Sequence, residues 1–447
     1  MANTRLTRTP SSASNRKTFT ISLWFKIGRH PFTEGGGGDS RELIGQTSSS
    51  YFRCILKSDE TMRIYDQSGF NFITNRKFRD KSGYYHLVIR VDTTQSTAND
   101  RVRVYINGVD ERTVGAYSTD TAPSQNQDLA WNTTSVHQIG GHSNNYDYFS
   151  GVISHIHHCD GQSYAPTAFG SVDNVNGEWK INTSPSVTYG TNGFFILKDG
   201  NSVTDQSGNS NNWTVASGTL TKTEDCPSNV FATFNPLFTQ QAPTTTNMGN
   251  TRIDQSSSAW RSSLTTIGAS SGKYYAEFKV GTISSSSPYK FNQIGVVNED
   301  IIKGSASDFI YVGYNNYGWG LNWNGDLYHN DSNLSGSFSS FTTGDIICVA
   351  MDLDNFKAYW RKNNSAWMNS GDPTSGSTGT GAISLDTGKT YFFGASVYGN
   401  ECFANFGNGY FGTTAVSSAG TNASGNGIFE YDVPTGFTAL STKGLNE

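Results

Sequence analysis

Clusters of positive charge are missing from this 447-residue chain. Its 32 Lys and Arg are scattered singly and in pairs among 37 Asp and Glu, for a formal net charge of −5. A nucleic-acid-binding surface needs a concentrated basic footprint, so no nucleic-acid partner is expected. No stretch reaches the roughly 18 consecutive apolar residues of a spanning helix. The opening MANTRLTRTPSSASNRK lacks the apolar centre of a secretory signal. Neither membrane insertion nor signal-directed export is expected. Cysteine is sparse and odd in number. Cys54, Cys159, Cys226, Cys348 and Cys402 stand far apart, which reads as reduced thiols serving as small hydrophobes, not as a disulfide frame. Charged residues make up only 15 %, and Leu, Ala, Glu and Lys, the helix formers, are scarce, which excludes a helical bundle.

What is present suits strands. Gly (48 residues), Ser, Thr and Asn are abundant, and aromatics reach 13 %. That mixture builds many short strands joined by polar turns, an all-β chain. The length fits two large β domains as well as three small ones. In TFTISLWFKI (Thr18–Ile27), Phe19, Ile21, Leu23 and Phe25 alternate as the buried face of a strand does. In GYYHLVIRVDTTQSTANDRVRVYINGVDE (83–111), Leu87, Ile89 and Val91 share one face with Val102, Val104 and Ile106. Arg101, Arg103 and Tyr105 take the other face, and Asn107–Gly108 supplies the positive φ angles of a tight turn. The stretch GDIICVAMDLDNFKAYWRKNN repeats this hairpin design in the second half of the chain. Residues 165–225 are looser and read as a closing segment that wraps the first domain. Residues 223–243, with three prolines, read as a connector. The expected layout is a domain over 1–222, a connector over 223–243 and a second domain over 244–447.

Particular stretches carry two resemblances. FTISLWFKI, YYHLVIRVDTT, RVRVYINGVD and FSGVISHIHHCDGQSY resemble concanavalin A-like lectin/glucanase domains of the laminin-G and pentraxin sort. GKYYAEFKV, IGVVNED, YGWGLNWNGDLYHN, GDIICVAMDLDNFKAYW, ECFANFG and FEYDVPTGFTAL resemble SPRY domains. Both imply two concanavalin A-like antiparallel β-sandwiches of jelly-roll type in tandem. The joint runs DGQSYAPTAFGSVDNVNGEWK, YGTNGFFILKD, DQSGNSNNWT, DCPSNVFATFNPL. It is similar to a segment of virion proteins from marine tailed phages. That implies a virion structural protein made in a host bacterial cytoplasm and carried on the particle surface as an appendage, fibre, spike or capsid decoration. Its expected partners are other virion proteins and host-surface glycans. A homo-oligomer, with a trimer favoured, would multiply a weak lectin site. The alternatives are a purely structural cement protein and, less favoured, a glycan-cleaving enzyme.

Catalysis is not expected. Glucanases of this fold place two glutamates on one strand as E-x-D-x-E or E-x-D-x-x-E, whereas Glu111, Glu178, Glu277, Glu299 and Glu401 are isolated here. No G-x-S-x-G, H-E-x-x-H or phosphate loop is present. In GVISHIHHCDGQSY, His155 and His157 are two apart and can share a strand face, with Cys159 third, the beginning of a zinc set. The laminin-G pattern instead makes Ile153, Ile156 and His158 the inward positions. That implies a bulge that turns His155 and His157 towards solvent or a neighbouring subunit, as ordinary strand residues. No cofactor or metal is expected. Asp39, Asp120 and Asp128 lie in loops, as calcium ligands of laminin-G domains do, but their spacing specifies no site. For glycan binding, rings that stack on sugars and amides that bond hydroxyls point to Tyr314, Asn315, Asn316 and Trp323, and to Asn144, Tyr146 and Asp147. Trp319 is assigned to the core.

Overall fold

The structure is a computed structural model, and it describes residues 3–28, 40–115, 117–143, 147–198, 202–238, 245–255, 258–282, 291–303, 310–334 and 338–446. The chain is nearly all-β, and it divides into two compact units, Met1–Lys222 and Thr223–Glu447. No described helix is long and apolar enough to cross a membrane.

The first unit is a two-sheet sandwich. One sheet has eight strands, in the order 117–121, 70–74, 62–66, 52–57, 40–47, 136–139, 5–8, 214–217. The other has six, in the order 194–196, 151–160, 18–27, 85–92, 102–106, 109–110. Phe19, Ile21, Leu23 and Phe25 are fully buried between the sheets against Leu43, Phe52, Ile64 and Phe72. The hairpin forms in the register its pattern predicts, with Leu87 opposite Ile106 and Ile89 opposite Val104. Asn107 (φ 50°) and Gly108 (φ 78°) make the turn that follows.

Alternation underestimates the burial of Thr18–Ile27. Thr20, Ser22 and Trp24, on the opposite face, are buried too, because residues 163–197 fold back over that sheet, and Lys26 is buried with its Nζ over the Tyr84 ring. Thr20 donates to the Gln162 carbonyl at 2.7 Å, and Tyr164 N–H donates to Thr20 Oγ1 at 2.8 Å. Trp24 stacks on His86 at 4.5 Å, and the Trp179 indole N–H donates to His86 Nδ1 at 2.9 Å. The closing segment also adds strands to both sheets, since 194–196 pairs with 151–160 and 214–217 with 5–8.

The second unit is also a two-sheet sandwich. Strands 245–247, 252–254, 401–405, 273–280, 346–352, 357–362 and 383–384 follow one another across one sheet, with 438–439 added parallel to 273–280. The other sheet runs 260–264, 391–398, 291–298, 318–322, 327–329, 332–333. Ala276, Phe278 and Val349 from the first meet Ile294, Leu321 and Ala395 from the second. Residues expected to form a connector belong to this unit. Phe231, Ala232 and Phe234 are buried in it, and Phe231 and Phe234 bridge to Ser441 and Thr265. Pro227 and Pro236 mark turns between buried positions, and composition alone does not separate turns from a linker.

Candidate functional site

The histidine run sits where a bulge was expected but not where it was expected to point. Strand 151–160 shifts register against 18–27 between Ser154 and His157, and His155 takes φ 48°. Ile156 and His158 face the core, where His158 Nε2 accepts the Trp131 indole N–H at 3.1 Å. His155 and His157 lie on the outer face, yet both are buried, because residues 187–197 cover them. His157 stacks on Phe195 at 3.9 Å and its Nδ1 pairs with the Tyr189 hydroxyl at 2.9 Å. His155 Nδ1 pairs with Ser154 Oγ at 2.7 Å. Burial holds His157 well below the usual imidazole range, with His155 adding to the effect. Neither faces solvent, and no group of three metal-ligating residues exists among the described residues.

Asp147 is also placed differently. Asn144 and Tyr146 lie outside the described residues, but Asp147 is buried, with φ 58°, and its carboxylate accepts from Arg53 Nη2 at 2.7 Å. Arg53 Nε bonds Glu42, whose side chain is fully buried above Gly45. Burial lifts Glu42 to about 7 against the pull of Arg53. Asp147 thus closes an ion network on the outer face of the eight-stranded sheet instead of presenting its carboxylate to a ligand. Of the calcium candidates, Asp120 pairs with Arg112, Asp128 lies 3.9 Å from Lys17, and Asp39 falls outside the described residues.

In the second unit the expected residues separate. Strand 318–322 alternates Trp319 and Leu321 inward with Gly320 and Asn322 outward. Trp323 follows the inward phase and packs, half-buried, against the core. Trp319 is core, stacked on His329 at 4.4 Å. Asn315 makes a turn, its Oδ1 accepting Tyr317 N–H at 3.1 Å, and Asn316 is exposed.

Tyr314 belongs to a cluster that the sequence did not reveal. Gly394, Gly295 and Gly320 stand side by side on three neighbouring strands of the six-stranded sheet. A Cβ on Gly320 would collide with the Val312 carbonyl, so the bare backbone there admits residues 310–314 onto the sheet. Ser262 Oγ donates to the Ile310 carbonyl at 3.0 Å, and Val312 N–H donates to Ser396 Oγ at 2.9 Å, fixing the loop. This brings Tyr311 within 4.9 Å of Trp260, 5.2 Å of Tyr314 and 6.3 Å of Tyr328, ring centre to ring centre. Trp260 meets Tyr398, its cross-strand partner, at 5.5 Å. All five rings are half-buried. Between the strands of this face lies Gln293, opposite Asn322 and Ser396. It is 2 % exposed, and its Oε1 accepts no hydrogen bond. Tyr311 donates its hydroxyl to Asp331. Half-buried aromatic rings grouped on one sheet face can stack on the C–H face of a sugar.

Residues 2–162 match the family model of the concanavalin A-like lectin/glucanases superfamily. No curated protein matches the chain. Among solved structures, the SPRY domain of human HERC1 is similar at 17 % identity and TM-score 0.27, over 38 % of this chain and 96 % of that one. The native heptameric SAP-like pentraxin from Limulus polyphemus is similar at 13 % identity and TM-score 0.29, over 44 % and 87 %. The PSpry domain of TRIM65 is similar at 11 % identity and TM-score 0.27, over 39 % and 88 %.

Proposed function

We propose that the protein is a lectin-like attachment protein that binds surface glycans through the Trp260–Tyr311–Tyr398 patch of its second unit. The observation that supports this most is the grouping of five half-buried aromatic rings, Trp260, Tyr311, Tyr314, Tyr328 and Tyr398, on one sheet face. The match of residues 2–162 to a lectin/glucanase family accords with carbohydrate or protein binding.

Binding without turnover is the reading. The three buried glutamates among the described residues are already engaged, Glu42 by Arg53, Glu111 by Arg76 and Glu277 by four donors. The proposed setting rests on the virion-like joint, DGQSYAPTAFG to DCPSNVFATFNPL. It is the surface of a tailed-phage particle, among other virion proteins, with copies joined as a homo-oligomer, a trimer favoured, so that weak sites act together.

Glycan-array binding by the full chain tests this. Trp260→Ala should abolish the signal and Trp323→Ala, which lies off the patch, should keep it. Absence of binding to any glycan, with tight capture of purified virion proteins, would replace attachment by an assembly role. Release of reducing sugar would restore the enzymatic reading.

A further inference from the structure

We infer that residues 163–190 of the first unit form an acid-sensitive strap, held over the six-stranded sheet by His86 and His157 in their neutral forms and released when those imidazoles take up protons.

The strap is lightly held. Pro166, Phe169 and Gly170 alone are buried along it, and the rest is exposed or half-buried. A segment with so few buried contacts opens at a fraction of the cost of unfolding its domain. Two histidines of the sheet meet its anchoring rings. At His86 the Trp179 indole N–H donates to Nδ1 at 2.9 Å, and Nε2 pairs with Ser22 Oγ at 2.8 Å. An indole can only donate, so Nδ1 carries no proton and the ring is neutral. A proton there would set N–H against N–H and detach Trp179. His157 is enclosed by Phe195 at 3.9 Å, Phe169 at 5.2 Å and Tyr189 at 6.1 Å, with its Nδ1 on the Tyr189 hydroxyl. Phe195 belongs to strand 194–196 and stays with the sheet. Phe169 and Tyr189 belong to the strap, and only their departure lets water reach an imidazolium.

The surroundings supply no counter-charge to either ring. Strand 18–27 brings Ser22 and Trp24 to His86. Near His157 stand His155 on its own strand, His86 on strand 85–92 and Lys198 after strand 194–196, all bases. Strand 102–106 contributes Tyr105, the strap Tyr164 and Tyr189, and strand 151–160 Cys159, whose thiol burial pushes up to about 12. Asp160 spends its carboxylate on Asn15, Asn132 and Asn192. Asp205 spends its own on the N–H groups of Phe195, Ser207 and Asn211. Arg90 bonds Ser163, and Asp173 pairs with Lys180 at the surface. Burial holds both imidazoles far below their usual 6.5, His86 at about 3, and at His157 the neighbouring bases add to it. A base lowered in this way favours closure fully above pH 6.5, and the effect is lost as the pH falls towards the closed-state value. From pH 6 to pH 5 each ring should favour opening by about eightfold, and the two together by about sixtyfold.

The thiols read the opening. Cys159 packs with Phe169 beneath the strap, whereas Cys54 lies in the main core. The full chain is labelled with dithiodipyridine, which reacts with thiols in mild acid. Each site is located by peptide mass, and its rate is divided by that of the urea-unfolded chain at the same pH. From pH 6 to pH 5 the Cys159 rate should rise about sixtyfold, with Cys54 far slower throughout. His86→Asn keeps an acceptor for Trp179, and His157→Phe keeps the stack on Phe195, but neither can ionise there. Each should cut the rise to about eightfold, whatever it does to stability, because only the change with pH is read. A Cys159 rate that changes less than about threefold in the wild type, an undiminished rise in both variants, or Cys54 labelled in step with Cys159, would overturn the inference.

Discussion

Replacing Glu277 by Gln should take a pH-dependence out of the second unit. Glu277 is wholly buried. Its Oε1 accepts the Tyr275 hydroxyl at 3.0 Å and the Tyr431 N–H at 2.8 Å. Its Oε2 accepts the Glu430 N–H at 2.8 Å and the Asn405 amide at 3.2 Å. Asn405 cannot turn its amide over, because its Oδ1 already accepts the N–H groups of Gly407 and Gly409. Four donors favour the anion, but burial outweighs them and lifts the carboxyl from 4.5 to about 7. The folded form therefore keeps its proton over a range in which the unfolded chain has lost it. The resulting stability is present in full below about pH 4.5 and is lost as the pH rises through about 7. At about 1.4 kcal/mol per pH unit the loss is roughly 3 kcal/mol. Glutamine cannot ionise, although its NH2 must face either the Tyr431 or the Glu430 N–H, a cost that does not vary with pH. E277Q should start below the wild type near pH 5 and hold level to pH 8, while the wild type falls by about that amount relative to it. Urea unfolding followed by tryptophan fluorescence measures both. Glu42, also raised to about 7, is common to the two proteins and cancels in the difference. Parallel curves would refute the reasoning. A wild type that gained on E277Q with rising pH would show that the four donors overrule burial.

Other substitutions probe other parts of the account. Gly320→Ala puts a methyl into the Val312 carbonyl. It should displace residues 310–314, cost about 2 kcal/mol by overpacking and abolish glycan binding, read by thermal shift and array. Arg53→Met strands the buried Glu42 and Asp147 carboxylates and should cost about 3–5 kcal/mol in urea unfolding at neutral pH. Phe195→Ala strips the stacked ring from His157 and should cost about 3 kcal/mol, again by urea unfolding. Zinc in excess over protein should leave the Tm unchanged, because a ligand that binds the native state would raise it and His155 and His157 lie beneath the closing segment.

Much of the fold was written in local patterns. Alternation located Phe19–Phe25 and the Leu87–Ile106 hairpin because one face of each is apolar, and Asn107–Gly108 announced a turn by the conformation it permits. The same alternation, carried on from Trp319 and Leu321, places Trp323 inward. Its neighbouring asparagines suggested a surface loop instead, and the strand phase prevails. Where a second layer covers a sheet, local pattern fails. His155 and His157 look outward on their strand, but residues 187–197 bury them. The patch was illegible for another reason. Trp260, Tyr311 and Tyr398 are remote in sequence and meet only through the pairing of 260–264 with 391–398 and the loop laid over Gly320. The aligned glycines at 295, 320 and 394 were a signal, but only once the register was known.

A crystal structure of the full chain with a bound methyl glycoside tests the central claim most directly. The account predicts a pyranose whose C–H face lies against an aromatic ring of the Trp260–Tyr311–Tyr398 patch. A sugar seated elsewhere, with the patch filled only by its own side chains, would contradict it.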